Sequence, residues 1–256
     1  RRGSMSVATR SAPSRPAIVA RQALFDLRLL LRNGEQILLT ILIPVVLLIG
    51  LGRTSLVSIG DTTAARIDVV VPGILARAIM STAFTSRAIS TGVDRRSGVL
   101  KVLGATPLMR SGLVWSRVLA VLAMVAVQLL VLLPLAFLLG WDPAGSLLVA
   151  VALAVLGCAA FATLGVALAG VLRAEATLAA ANGIFLLLLL GGGVVIPLSV
   201  LPDPVAAVAA ILPSGALGEG LRLILLDGSI PTASFLVLAA WTAVGAAIAS
   251  RTFRWE

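Results

Sequence analysis

The sequence predicts an all-α membrane protein, with an N-terminal interfacial helix followed by six transmembrane helices. Three observations lead to this prediction: the composition, a series of apolar runs of membrane-spanning length, and the placement of the basic residues. Hydrophobic residues make up 59% of the chain and charged residues only 12%, and the mean hydropathy is +1.11. A soluble domain is about 45–50% apolar and about 25% charged. Because so few charges could not cover a surface in water, lipid must surround most of this chain.

The N-terminal part of the chain is polar and then amphipathic. Residues 1–16 are expected to be a flexible lead into one transmembrane domain, residues 17–256, and residues 1–4, ahead of Met5, resemble a cloning remnant. At 100° per residue, four charged residues of the next segment share one helical face: Arg21, Arg28, Arg32 and Glu35. Apolar residues share the other face, which predicts a helix lying along the membrane surface. A second interpretation stays open, in which this segment is only the cytosolic start of the first span.

Six apolar runs follow, and a membrane helix needs roughly 20 such residues. The spans are predicted at residues 34–52, 69–91, 118–141, within 144–172, 176–200 and 232–250. Pro44 lies inside the first span, where neighbouring helices can satisfy the carbonyl that it frees. The second span is the least apolar because it contains Arg77 and Arg87.

The basic residues predict the orientation of these spans. Six spans place both termini on one side of the membrane. Counted with Arg87 at the end of the second span, that side has sixteen basic residues, whereas the opposite links contain three, Arg53, Arg66 and Arg222. By the positive-inside rule, both termini are cytoplasmic and the protein is a multi-pass protein of the plasma membrane. Since the charges lie at the ends of apolar runs, the net charge of +9 does not indicate a nucleic-acid partner.

The sequence lacks the common catalytic motifs. A P-loop ends in Gly-Lys-Ser or Gly-Lys-Thr, but the only lysine, Lys101, lies between Leu100 and Val102. There is no histidine, which is the commonest general base and metal ligand, and the single cysteine, Cys158, excludes an intrachain disulfide. We therefore expect no catalytic, cofactor or metal site in this chain. An intramembrane enzyme is disfavoured for the same reason.

The most specific motifs lie in residues 71–119. Pro72-Gly73 opens the second span, and the polar stretch behind it contains Asp94, Arg95, Arg96, Gly98 and then Thr106-Pro107-Leu108. This pattern resembles the ABC type-2 permeases, a family of drug, lipid and glycan exporters typified by the daunorubicin exporter's membrane subunit. The family pattern is Pro-Gly, then Glu-Arg-Glu-x-Gly-Thr-Leu and Leu-x-x-Thr-Pro-Leu. The chain departs from it in having Asp94 for the first Glu, Arg96 for the second and Val99 for Thr.

A second match follows the fifth span. Its residues are Gly191 to Gly193, Pro197, Leu201-Pro202, Pro213 and Leu221-Arg222. In the family, a Gly-rich end of the fifth span leads into a re-entrant helical hairpin and an amphipathic helix. The resemblance therefore implies a re-entrant hairpin before the sixth span. It covers nearly the whole chain from about residue 17.

The resemblance also implies where the chain meets its ATPase. Residues 94–110 would form a short cytosolic helix that begins at Asp94, favourable at a helix N-terminus, and ends near Gly104 and Pro107. In the family this helix docks on the ATPase. The implied coupling residues are Asp94, Arg95, Arg96, Gly98, Thr106, Pro107 and Arg110. Without the resemblance, an ordinary solvated basic loop would fit equally well.

Polar residues inside two spans are candidates for a translocation path. Arg77 lies ~13 Å into the second span at 1.5 Å per residue, where a charge costs ~2.5–3.5 kcal/mol at the bilayer centre. Arg77, Ser81 and Thr85 are spaced for one face of an α-helix. Because the second and fifth spans line the path in the family, the resemblance implies that these residues and Asn182 line it. Arg77 reaching the outer headgroups and Asn182 packing between helices are the alternatives.

The implied function is that of a permease subunit in an ATP-driven exporter that works by alternating access. Its implied partners are two ATPase subunits, which would hold the ATP and Mg, and a second permease copy or a homologue. No cofactor is expected in the chain itself. The alternative, from a different class, is a membrane assembly or scaffold subunit without transport.

Overall fold

The computed structural model describes residues 15–32, 34–53, 63–98, 110–194, 198 and 201–252. Its regular elements within these ranges are helical: α1 (Arg15–Arg32), α2 (Gly34–Arg53), α3 (Thr63–Met80), α4 (Ser86–Arg96), α5 (Arg110–Leu138), α6 (Leu147–Val171), α7 (Ala174–Gly191), α8 (Asp203–Ile211), α9 (Pro213–Leu225) and α10 (Thr232–Thr252). The predicted flexible lead lies outside the described residues, except for its last two, which begin α1.

Five helical stretches are long and apolar enough to cross a membrane. They are Ile67–Arg96, Trp115–Leu138, Leu147–Val171, Ala174–Gly191 and Thr232–Arg251, and they correspond to the second to sixth predicted spans. The first predicted span corresponds to α2, of which Thr40–Gly52 forms a shorter apolar stretch. The pair α8 and α9 would count as a further span if taken together, but it is bent by 97°. The prediction of an all-helical protein with several apolar spans is confirmed.

Helix α6 forms the centre of the bundle. It packs against α10, α4, α9 and α5, and small residues occupy much of its surface. A Cβ on Gly165 would lie 2.7 Å from the carbonyl oxygen of Phe84, and one on Gly157 would lie 2.8 Å from the side chain of Leu217. Small residues allow the backbones of membrane helices to approach closely. The glycines of α6 therefore set how closely its neighbours pack.

The second predicted span is one helix interrupted by a π-helical turn. Ser81–Thr85 forms this turn between α3 and α4, and such turns insert an extra residue into an α-helix. The predicted single face of Arg77, Ser81 and Thr85 assumed α-helical spacing throughout, whereas the helix is wider from Ser81 to Thr85. A spacing of four residues is close to one turn in either helix type, so the shared face stays a prediction. Thr82 of the turn is buried and donates a hydrogen bond of 3.0 Å to Oε1 of Gln128 in α5. The Nε2 of Gln128 donates at 2.8 Å to the carbonyl oxygen of Thr40 in α2, so three helices meet at the turn.

The predicted cytosolic helix does not begin at Asp94. Helix α4 continues the second span through to Arg96, and Asp94 lies in its last turn. The helix extends this far because α4 packs against α6 and α7, and it ends where Gly98 adopts a φ of +75°, which favours glycine. Residues 99–109, with Thr106 and Pro107, lie outside the described residues, as does the side chain of Arg110.

The segment before the last span is a bent helix pair. Helices α8 and α9 meet at Leu212, and Pro213 occupies the first turn of α9, where its missing N–H costs nothing. Most side chains of α9 are buried against α3, α6 and α10. The bend falls in the segment for which the family resemblance implies a hairpin.

Candidate functional site

A buried arginine joins three helices at one end of the bundle. Arg117 of α5 is only 2% exposed, and its Nη2 donates to Oδ2 of Asp94 in α4 at 2.5 Å. Its Nη1 donates to the hydroxyl of Thr91 at 3.2 Å, and its Nε lies 3.9 Å from Oδ2 of Asp26 in α1. One guanidinium thus connects α1, α4 and α5. Arginine suits this role because its planar fork can serve several acceptors at once.

Arg87 completes what we term the charge cluster, namely Asp26, Arg87, Asp94 and Arg117. Arg87 is buried in α4 and interacts electrostatically with the other three residues. Gln22 also donates to Asp26 at 2.9 Å, from one turn earlier in α1. Two positive and two negative groups balance, as buried charges must be paired to be tolerated. The cluster therefore links α1 to α5 and, through Arg117, to the end of the second span.

Arg95 and Arg96, which follow Asp94 in α4, contact the link between α6 and α7. The Nη1 of Arg95 donates to the carbonyl oxygens of Gly170 at 3.3 Å and Leu172 at 3.2 Å. These are among the carbonyls that a helix end leaves without an intrahelical partner. Arg96 pairs at 2.9 Å with Glu175 in the first turn of α7, and both side chains are more than 70% exposed. The last turn of α4 therefore contacts α1, α5 and the α6–α7 link.

The predicted coupling residues thus differ in accessibility. Asp94 and Arg95 make contacts within the chain, whereas Arg96 remains largely exposed and Gly98 lies in the turn after α4. Sequence reasoning missed Asp26 and counted Arg117 only as a topology charge. A signal was available, since Asp26 falls three residues after Ala23 and four before Leu30, on the apolar face of α1. A charge on an apolar helix face indicates a buried partner.

A second arginine joins distant parts of the chain at the other end of the second span. Arg222 of α9 is buried, and its Nη1 and Nη2 donate at 2.6 Å each to the carbonyl oxygens of Gly193 and Val194. Gly193 has a φ of +70°, which glycine adopts without strain. Glu219, one turn earlier in α9, lies 3.6 Å from Nη1 of Arg222. The arginine thus ties α9 to the segment that follows α7.

Helix α3 packs against two of the same residues, Val194 and Arg222. A Cβ on Gly73 would lie 2.9 Å from the carbonyl oxygen of Val194 and 3.5 Å from Nη2 of Arg222. The structure therefore brings together Pro72-Gly73, Gly191 to Gly193 and Leu221-Arg222, three motifs that the sequence presents separately. We refer to Gly73, Gly193, Val194 and Arg222 as the Arg222 junction.

The candidate path residues are more scattered. Arg77, Ser81 and Thr85 are half-buried, while Asn182 of α7 is exposed. Asn182 is exposed in the single chain because α7 packs mainly on α4 and the π-helical turn and leaves its other faces open. That Asn182 lines a translocation path stays a prediction. Among the described residues, no group of three or more acidic, cysteine or histidine side chains could hold a metal ion.

Long apolar helices and buried arginines held by internal partners define a multi-pass helical membrane protein. Residues 61–251 match the family model described as "ABC-2 family transporter protein". The chain belongs to this family, and the resemblance inferred from its motifs is confirmed. A search of curated proteins finds no match. The protein is therefore a membrane permease of the ABC-2 transporter family.

Proposed function

We propose that the protein is the membrane-spanning permease subunit of an ATP-driven exporter that moves a hydrophobic or amphipathic substrate, such as a drug, lipid or glycan. The observation that carries this proposal is the family match across most of the membrane domain. Two separate ATPase subunits would bind ATP and Mg and hydrolyse the nucleotide. A second permease copy or a homologue would complete the path, and the exposed faces of α7 support such pairing.

In the proposed topology, both termini are cytoplasmic and α1 lies along the inner membrane surface. The side chains of α1 support this placement, because exposed arginines alternate with exposed Leu24, Phe25 and Leu29 while Ala23 and Asp26 are buried. An interfacial helix needs both polar and lipid-facing sides. The bent pair α8 and α9 would enter from the outer side and return to it as a re-entrant hairpin.

The proposed coupling begins where residues 94–110 contact the ATPase. The contacts of α4 support a route from there into the bundle. Asp94 in the last turn of α4 accepts a hydrogen bond from Arg117 of α5, which also lies beside Asp26 of α1. Arg95 of the same turn donates a hydrogen bond to the end of α6. Closure of the ATPases would move α4 and these elements together. Their movement would alternate the access of a central path lined in part by Arg77, Ser81, Thr85 and Asn182.

The test is substrate-stimulated ATP hydrolysis by the permease after reconstitution with a candidate ABC ATPase subunit. Arg96→Glu should lower this stimulation or the recovery of the complex, since charges at an interface orient the partners. The matched control is Asp227→Arg, which reverses an exposed charge after α9. Glu175→Arg added to Arg96→Glu restores the internal pair. Full rescue by this second change would assign Arg96 to packing rather than to ATPase contact.

The scaffold alternative replaces the exporter proposal if the candidate ATPase does not bind the permease. It also does so if no candidate substrate stimulates ATP hydrolysis by the complex. ATP hydrolysis by the purified permease alone would contradict the proposed division of labour.

A further inference from the structure

An apolar cavity lies between the last three spans and the bent helix pair. Its volume is about 430 Å³, within the range of about 300–1,000 Å³ that small ligands occupy. Leu168 of α6, Ile184 of α7 and Ile248 of α10 form three of its walls, and Leu212 with Pro213 forms one end. The side chains that line it are apolar throughout, so a ligand that fills it must be hydrocarbon-like.

The cavity exists because α7 separates from α6 along its length. At its start, α7 packs closely on α4, where a Cβ on Gly92 would lie 3.5 Å from the side chain of Thr177. Further along, α7 makes few contacts with α6, whereas α6 and α10 pack extensively. The end at the helix bend is fixed, since Nε1 of Trp241 donates at 2.9 Å to the carbonyl oxygen of Ile211.

The end away from the bend is flanked by positive charge. Leu172 and Ile248 line that end, and an arginine follows each of them closely, Arg173 as the next residue and Arg251 one helical turn later. Both arginine side chains are exposed. A partly open apolar space beside two solvent-accessible cations complements an amphiphile with a hydrocarbon chain and an anionic head group.

We propose that this cavity binds an acyl chain of an anionic phospholipid, with the lipid phosphate at Arg173 and Arg251. In the proposed topology these arginines face the cytoplasm, so the lipid comes from the inner leaflet. The bound chain fills the gap between α7 and the pair α6 and α10. It supports α7 on the face that packs against α4 nearer the start of the helix, because Ile184 and Leu188 follow Thr177 at the spacing of one helical face. The site depends on the proposed topology for its leaflet and is independent of which substrate is exported.

The test places the full-length chain in nanodiscs that contain phosphatidylglycerol with a photoactivatable acyl chain, and compares phosphatidylcholine with the same chain. Labelled peptides are identified by mass spectrometry. We expect residues 164–172 and 184–188 to be labelled at least threefold more by phosphatidylglycerol than by phosphatidylcholine. Leu168→Trp, which fills the cavity, should lower this labelling severalfold. Leu148→Trp is the matched control, because Leu148 is on the same helix and 80% exposed.

A second variant does not depend on how well the filled cavity folds. Arg173→Glu combined with Arg251→Glu changes only exposed side chains and should reduce phosphatidylglycerol labelling to the phosphatidylcholine level. Equal labelling by the two lipids in the unmodified chain would overturn the proposal. So would an Ile184→Cys variant that crosslinks to a second permease copy while the cavity takes up no lipid label, since protein would then close the cavity.

Discussion

Arg117 and Asp94 form a 2.5 Å charge-assisted hydrogen bond between helices, although 23 residues separate them in the chain. The bond directs the first acidic residue of the family motif into the bundle. Arg96, two residues further on, is instead 72% exposed and pairs with an equally exposed Glu175. The same short motif therefore has one member that holds the bundle together and another that is accessible to a partner.

We expect Asp94→Ala to destabilise the protein far more than Arg96→Ala. Without Asp94, the buried Arg117 retains, among the described residues, Thr91 and the more distant Asp26. Removing one partner of a buried ion pair costs about 3–5 kcal/mol, whereas an exposed pair contributes about 0–1 kcal/mol. The measurement is the melting temperature of each purified variant by fluorescence-detected size exclusion. Equal shifts in the two variants would contradict the burial of the charge cluster.

Arg222→Lys should weaken the Arg222 junction although it keeps the charge. A lysine ammonium lacks the fork that lets Arg222 reach the carbonyl oxygens of Gly193 and Val194 together. Losing one hydrogen bond to a charged group costs about 1.5–3 kcal/mol. Arg28→Lys, on the exposed face of α1, is the control and should leave the melting temperature unchanged. A melting temperature of Arg222→Lys as high as that of the control would refute the bidentate role.

Gly73→Ala should disturb the contact between α3 and the Arg222 junction. The added methyl group would lie 2.9 Å from the carbonyl oxygen of Val194, which is backbone and cannot rotate away. We expect a lower melting temperature and weaker substrate-stimulated hydrolysis. Gly50→Ala meets no atom within 4 Å and should be neutral or gain up to about 1 kcal/mol from helix propensity. Similar behaviour of the two variants would show that α3 does not pack tightly there.

Cysteine labelling should establish the proposed topology without prior removal of the native thiol. Cys158 is buried in α6 and should not react with a membrane-impermeant maleimide. In intact cells, Ser229→Cys should be labelled, and Ser97→Cys should be labelled only after permeabilisation, since both positions are exposed at opposite ends of the bundle. Ser58→Cys, outside the described residues, should behave like Ser229→Cys. Labelling of Ser97→Cys in intact cells would reverse the orientation.

The sequence alone determined the properties that depend on short stretches of chain. Apolar runs of span length predicted the helices of the second to sixth spans, because the free energy of inserting a helix is a sum over its own residues. The order of the motifs around Pro72-Gly73 and Leu221-Arg222 was sufficient to indicate the family. Neither inference requires knowing which helices are neighbours.

Only the tertiary structure decided which polar groups meet. It turned Asp94 toward Arg117, placed Arg222 against carbonyls 28 and 29 residues away, and left Asn182 exposed. It also inserted the π-helical turn at Ser81–Thr85, where Gln128 bridges to α2. A buried charge is stable only beside a partner, and that partner lies far along the chain. The identity of such partners is set by how the helices pack, which local hydropathy and spacing do not specify.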